Sequence, residues 1–145
     1  MKKVITTQSA QETIELGQHL GRQAFSGAII TLKGDLGAGK TTLTKGIALG
    51  LEIAQAITSP TFTIMKSYQG RLPLVHIDAY RLSGIGFDYD VEEAIYSDAV
   101  SVIEWSSNIQ SSIDHELSLT LARIDDTLTI EINYDESYAA MVEGL

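Results

Sequence analysis

The 145-residue sequence contains no cysteine, which excludes disulfides and thiolate metal sites and gives no hint of an oxidising compartment. It has no apolar run near the ~20 residues that a helical bilayer span requires. Met1-Lys2-Lys3 is a basic start, but the long apolar stretch of a secretion signal does not follow, so a cytoplasmic location is expected. Basic residues are scarce, with 10 Lys and Arg against 19 Asp and Glu and a net charge of −9. Such a surface repels a phosphate backbone, so the chain alone is not expected to grip DNA or RNA. Repeats, low-complexity tracts and linker-like segments are missing too, and residues 1–145 are expected to form one domain. What remains, 44% hydrophobic and 20% charged residues, is the balance of an ordinary globular fold.

Against those absences stands one complete motif. Gly34-Asp-Leu-Gly-Ala-Gly-Lys-Thr41 has the G-x-x-x-x-G-K-[ST] spacing of a phosphate-binding loop. A short β-branched run, Ala28 to Leu32, precedes it, and the Pro-free stretch Thr42 to Leu51 follows it. Strand, glycine-rich turn and helix are the order in which such a loop works. Gly34, Gly37 and Gly39 admit backbone angles closed to other residues, so successive N–H groups turn into one concavity. The helix after the loop adds unpaired amide donors and the positive end of its dipole. Lys40 supplies a mobile charge for the β- and γ-phosphates, Thr41 a hydroxyl oxygen for Mg²⁺, and Thr42 a donor for the α-phosphate. Asp35, Leu36, Gly37, Ala38, Gly39, Lys40, Thr41 and Thr42 are therefore the nucleotide-binding candidates.

The rest of the chain reads as alternating helices and strands. Val4 to Thr6 is a short first strand. Ser9 and Glu12 have capping-box spacing, and the helix they open carries Ile14, Leu16, Leu20, Ala24 and Phe25 as apolar positions up to Gly27. Thr61 to Tyr68 and Leu72 to Ile77, joined by Gln69-Gly70-Arg71, read as an antiparallel hairpin. A loop over Ser83 to Asp90 leads to a short helix at Val91 to Ser97, then to the apolar strand Ala99 to Ile103, which ends in Glu104-Trp105. Leu117 to Ala122 and Leu128 to Ile132 close the chain as a second hairpin. The expected fold is α/β, a P-loop NTPase-like three-layer arrangement whose mixed sheet has a parallel centre and antiparallel flanking hairpins.

A P-loop also needs an acid at the end of a neighbouring strand to hold the metal. Asp78 follows the run Leu72 to Ile77, and Glu104 follows Ala99 to Ile103. Pattern alone does not divide their roles. Thr61, in Ser59-Pro-Thr-Phe62, stands where phosphate-sensing switch segments sit. His76 in its alternating strand and Trp105 at a strand end read as packed side chains.

Taken in order, Gly34 to Thr42, Ser59-Pro-Thr-Phe62, His76-Ile-Asp-Ala-Tyr-Arg81 and Glu104-Trp105 resemble the TsaE family. That is the bacterial P-loop ATPase (also called YjeE) needed to make threonylcarbamoyladenosine in tRNA. Glu12 to Gly17 looks like the family's opening helix, and the similarity covers about residues 4 to 105. The resemblance implies an Mg²⁺-dependent ATPase that works with two partner proteins, TsaD and TsaB, and meets tRNA only through them. It assigns Thr41 and Glu104 to magnesium, Asp78 to a metal-associated or catalytic role, Thr61 to the switch, and Thr7 to the neighbourhood of the base. With Lys40, Asp78 and Thr61 form the catalytic set that it implies. Ile124-Asp-Asp-Thr127 departs from the longer Gly/Arg-containing turn of many members, which puts a nucleotide contact from that turn in doubt.

Two alternatives come from other classes. A small-molecule kinase would need an Arg-bearing lid over the phosphates, and four arginines without an Arg-rich loop argue against it. A nucleotide-dependent interaction module with little turnover is distinguished by whether partners stimulate hydrolysis. No Asn-Lys-x-Asp element for reading guanine is present. The charge balance yields a direct prediction: at physiological salt the isolated chain does not bind tRNA tightly, as filter binding would show.

Overall fold

The computed structural model describes residues 1–34, 39–58, 65–78, 93, 97–105 and 115–145. In chain order these contain β1 (Lys2–Thr7), α1 (Ala10–Gln23), β2 (Ile29–Gly34), α2 (Lys40–Gly50), β3 (Met65–Tyr68), β4 (Leu74–Asp78), β5 (Val100–Trp105), β6 (Leu117–Ile124), β7 (Thr127–Asn133) and α3 (Ala139–Val142). The strands form one sheet in the order β1-β7-β6-β2-β5-β4-β3. β6, β2, β5 and β4 pair in parallel. The hairpins β3–β4 and β6–β7 are antiparallel, and β1 adds antiparallel to β7. The expected mixed sheet, with a parallel centre and antiparallel flanks, is what forms. The short helix expected at Val91 to Ser97 falls mainly outside the described residues.

β2 is central because its sequence suits burial on both faces. Ile29, Ile30, Thr31 and Leu32 are all buried, the uninterrupted pattern of an inner parallel strand. β4 begins at Leu74, two residues later than the apolar run suggests, after Pro73, which has no N–H for a ladder. It runs one residue further than expected, so Asp78 belongs to the strand. β5 likewise includes both Glu104 and Trp105.

One sheet face carries Ile30 and Leu32, Val100 and Val102, Leu74, and Leu117, Leu119 and Leu121, which build the main core with Leu16, Leu20, Leu43 and Ile47 of the two long helices. Ser9 caps α1, accepting from the Glu12 amide at 3.1 Å. The capping box is modified, because the Glu12 carboxylate reaches the Gln8 amide at 3.4 Å. The helix ends at Gln23, ahead of Gly27. Phe25, expected on the apolar face, is 40% exposed and lies against the Tyr138 ring. Burial pushes the Tyr138 phenol above its ordinary range, and its hydroxyl accepts from the Ile29 amide at 2.9 Å. The start of β2 is thereby tied to the C-terminal segment.

The two helices touch backbone to backbone through four glycines. A Cβ on Gly17 would lie 2.8 Å from Gly46 Cα, one on Gly21 would lie 2.9 Å from Gly50 Cα, and one on Gly50 would lie 2.8 Å from Gly21 Cα. The β3–β4 turn clamps the far ends of both helices. The Arg71 amide donates to Leu51 O at 2.6 Å, and its guanidinium Nη2 donates to Gly21 O at 2.8 Å and Ala24 O at 3.1 Å. A methyl group at Gly21 must push rigid backbone aside. Overpacking of this kind costs about 1–3 kcal/mol, more than the ~1 kcal/mol gained in helix propensity. Gly21→Ala is therefore expected to lower the urea midpoint clearly, while Gln11→Ala on the exposed face of α1 leaves it within experimental scatter.

Candidate functional site

The C-terminal edge of the parallel strands is where an open α/β sheet binds ligands, and Thr7, Gly39, Lys40, Asp78 and Glu104 lie at that edge of the sheet. β2 ends at Gly34, and the chain is described again from Gly39, the N-cap of α2. Gly39 has φ +117°, a conformation that side chains rarely tolerate. A Cβ there would also lie 3.2 Å from Leu128 Cδ2 and 3.7 Å from Arg123 Nη2. Lys40 opens the helix, and its Nζ donates to Gly34 O at 2.6 Å, joining the end of β2 to the start of α2. Thr41 and Thr42 lie half-buried in the first turn. That turn carries no acidic residue, so nothing on it offsets the positive end of the helix dipole. Thr44 Oγ1 donates to Lys40 O at 2.8 Å, stitching the turn from within. Asp35, Leu36, Gly37, Ala38 and Thr61 lie outside the described residues, as do Tyr80 and Arg81.

The two acids meet. Asp78 is the register partner of Glu104 across β4 and β5, and Glu104 is the partner of Leu32 across β5 and β2. Register partners in a sheet share a face, about 4.8 Å apart from strand to strand. Both carboxyl groups are thus on the helix-covered face, one and two strands from β2, at the end where the phosphate loop begins. Asp78 is half-buried and Glu104 only 9% exposed. Glu104 Oε1 is buried with no hydrogen-bond partner among the described residues, and His76 Nε2 lies 3.6 Å from it.

Thr7, at the end of β1, lies at the same edge opposite Leu128. It is buried, and its hydroxyl is 2.7 Å from that of Thr13, which in turn donates to Ser9 O at 3.2 Å. The Thr7 side chain therefore ties β1 to the first turn of α1, and any approach to a nucleotide base is left to its backbone and neighbours.

The donor set suits one kind of ion. A threonine hydroxyl and two carboxylates are hard oxygen ligands, and Mg²⁺ uses one or two carboxylates together with substrate phosphates rather than a full protein cage. No cluster of three or more His, Asp or Glu able to hold a metal occurs among the described residues. Nor is any described helix long and apolar enough to cross a membrane.

The sequence profile of the family described as "Threonylcarbamoyl adenosine biosynthesis protein TsaE" matches residues 7–139. The chain belongs to the TsaE family. It is 42% identical to the tRNA threonylcarbamoyladenosine biosynthesis protein TsaE of Treponema pallidum (strain Nichols), over 83% of this chain and 91% of that protein. It is 40% identical to the protein of the same name from Bacillus subtilis (strain 168), over 83% and 77% respectively. Among solved structures, the crystal structure of Bacillus subtilis YdiB superposes with a TM-score of 0.78 at 32% identity, covering 99% of this chain and 93% of that one.

Two residues of this TsaE-family site carried no usable signal in the sequence. Arg123 extends the inward stripe Leu117, Leu119, Leu121 of β6 by one step, and its guanidinium thereby reaches Gly39. That follows from the strand period, but only once the strand is known to lie beside β2. His76, read as a packed side chain, is indeed fully buried, and it packs against Glu104. The positive φ at Gly39 makes the loop's last glycine testable. Gly39→Ala is expected to weaken nucleotide binding by about 5- to 150-fold by calorimetry, because strain of roughly 1–3 kcal/mol would fall on position 39 itself.

Proposed function

We propose that this chain is the ATP-binding and ATP-hydrolysing component of tRNA threonylcarbamoyladenosine synthesis, acting in the cytoplasm with Mg²⁺ and with TsaD and TsaB as partners. The observation that carries this reading is the side-by-side placement of Asp78 and Glu104 at the sheet edge from which the Gly34–Thr41 loop and α2 depart. Membership of a family named for this modification supplies the pathway. The net charge of −9 agrees with a division of labour in which partners hold the tRNA.

The chemistry follows from the residues. The first-turn amides of α2 and the loop amides cradle the phosphates. Lys40, resting on Gly34 O, swings its ammonium group to the β- and γ-phosphate oxygens when a nucleotide enters. Thr41, Glu104 and Asp78 would hold the magnesium, which when bound neutralises charge on the bridging and terminal phosphates. Asp78, the more exposed of the two acids, also orients the attacking water. Thr61 senses the γ-phosphate. Catalysis by such a site is positioning and electrostatics, so a partner that completes the enclosure raises turnover.

The test is phosphate release from Mg-ATP with and without TsaD and TsaB, beside threonylcarbamoylation of tRNA by the reconstituted set. Omitting this chain, or substituting Lys40→Ala or Glu104→Ala, is expected to lower both by at least about tenfold, the loss of one charge-assisted contact. Unchanged ATP binding in Lys40→Ala, or partner activity indifferent to this chain, would defeat the reading.

A further inference from the structure

His76 is fully buried in the middle of β4, with Leu74 and Asp78 on its own face. Its register neighbours are Val102 on β5 and Lys66 on β3. Lys66 does not turn to it, because its Nζ donates to Thr58 Oγ1 at 2.7 Å. Both imidazole nitrogens lack a hydrogen-bond partner among the described residues. Nε2 lies 3.6 Å from Glu104 Oε1, and that oxygen is also buried and unsatisfied. Leaving a buried donor or acceptor unpaired is destabilising, so a filler at this position would be leucine or valine, like its neighbours. An uncharged imidazole carries one N–H, and a carboxylate oxygen only accepts. These two orphans are chemically complementary and stand just beyond the ~2.7–3.2 Å of a formed bond.

We propose that His76 is a positioning residue for Glu104. With its proton on Nε2, the imidazole donates to Oε1, fixes the carboxylate on the helix-facing side of the sheet and leaves Oε2 for a divalent cation. Outer hydrogen bonds of this kind govern metal affinity by about 10–100-fold. The inference rests on the Mg-nucleotide reading of the site and adds the residue that sets its metal affinity.

Two measurements test it. In the ¹⁵N-labelled wild-type chain, ring-nitrogen NMR is expected to show the Nε2–H tautomer at His76. An Nδ1–H tautomer there, with Nε2 carrying no proton, overturns the proposal. Calorimetry with a non-hydrolysable ATP analogue across a Mg²⁺ series is the second. His76→Leu should raise the Mg²⁺ needed for half-maximal binding by about 10–100-fold and leave metal-free binding of the analogue unchanged. His76→Gln, which keeps a donor, should stay within roughly threefold of wild type on the same scale. A Leu variant with wild-type Mg²⁺ dependence, or a Gln variant as impaired as the Leu variant, overturns it. If His76→Leu does not fold, a tenfold loss in His76→Gln does so instead. A wild-type chain whose nucleotide binding ignores Mg²⁺ brings down the proposed function as well. A wild-type response shared in full by His76→Leu removes this inference alone.

Discussion

The parallel register of β4, β5 and β2 decides where every charged group of the site lies. Asp78 pairs with Glu104, and Glu104 with Leu32, so two acids and the root of the phosphate loop are set side by side by main-chain hydrogen bonds. Side chains alternate with period two, and a slip of one residue would move Glu104 to the opposite face. Ile103 would then take its place beneath the helices. The register is held because the same slip would turn Leu74, Val100 and Val102 out of the main core. Core packing and site geometry are thus one constraint, enforced by apolar residues on the strands that carry the acids.

The helical layer supplies the other half of the site. α2 must end its N-terminus beside β2, and its long axis is located by contact with α1 through Gly17, Gly21, Gly46 and Gly50. Backbones this close leave no slack for sliding, since any side chain would meet main-chain atoms. Arg71 closes the far end by bonding Leu51 O, Gly21 O and Ala24 O. Tyr138 fixes the start of β2 by accepting from Ile29 N. Gly34 at the end of β2 and Gly39 at the start of α2 are therefore each held by a rigid element.

Much of this was legible in the residues because it is local. The Gly34–Thr41 motif, the Ser9 cap, the two hairpins and the acids at strand ends all follow from neighbours in sequence. Pairing is not local. Nothing in Leu72 to Asp78 or Ala99 to Glu104 says that these strands lie next to each other in parallel, or that Asp78 and Glu104 fall on one face. Gly17, Gly21, Gly46 and Gly50 take their role from the crossing of two helices, which the residues around them do not announce. His76 and Arg123 were undervalued for the same reason. A lone histidine in an apolar strand and an arginine near a turn take their meaning from the strand beside them.

Glu104 illustrates why such a site is tolerated. A carboxyl group only 9% exposed, with an acidic register partner, is unfavourable in the absence of a cation, because desolvation and like-charge repulsion act in the same direction. Apolar residues at Glu104 and His76 would pack against Val102 and Leu32 with no orphaned atoms. The chain instead keeps these polar side chains on the helix-facing side of the sheet, one and two strands from β2. Burial strengthens the field of the acids toward a cation, since the interior screens charge far less than water does. Under the proposed function, the burial that makes the pair costly also strengthens its hold on a cation, and the surrounding leucines and valines supply the stability to carry it.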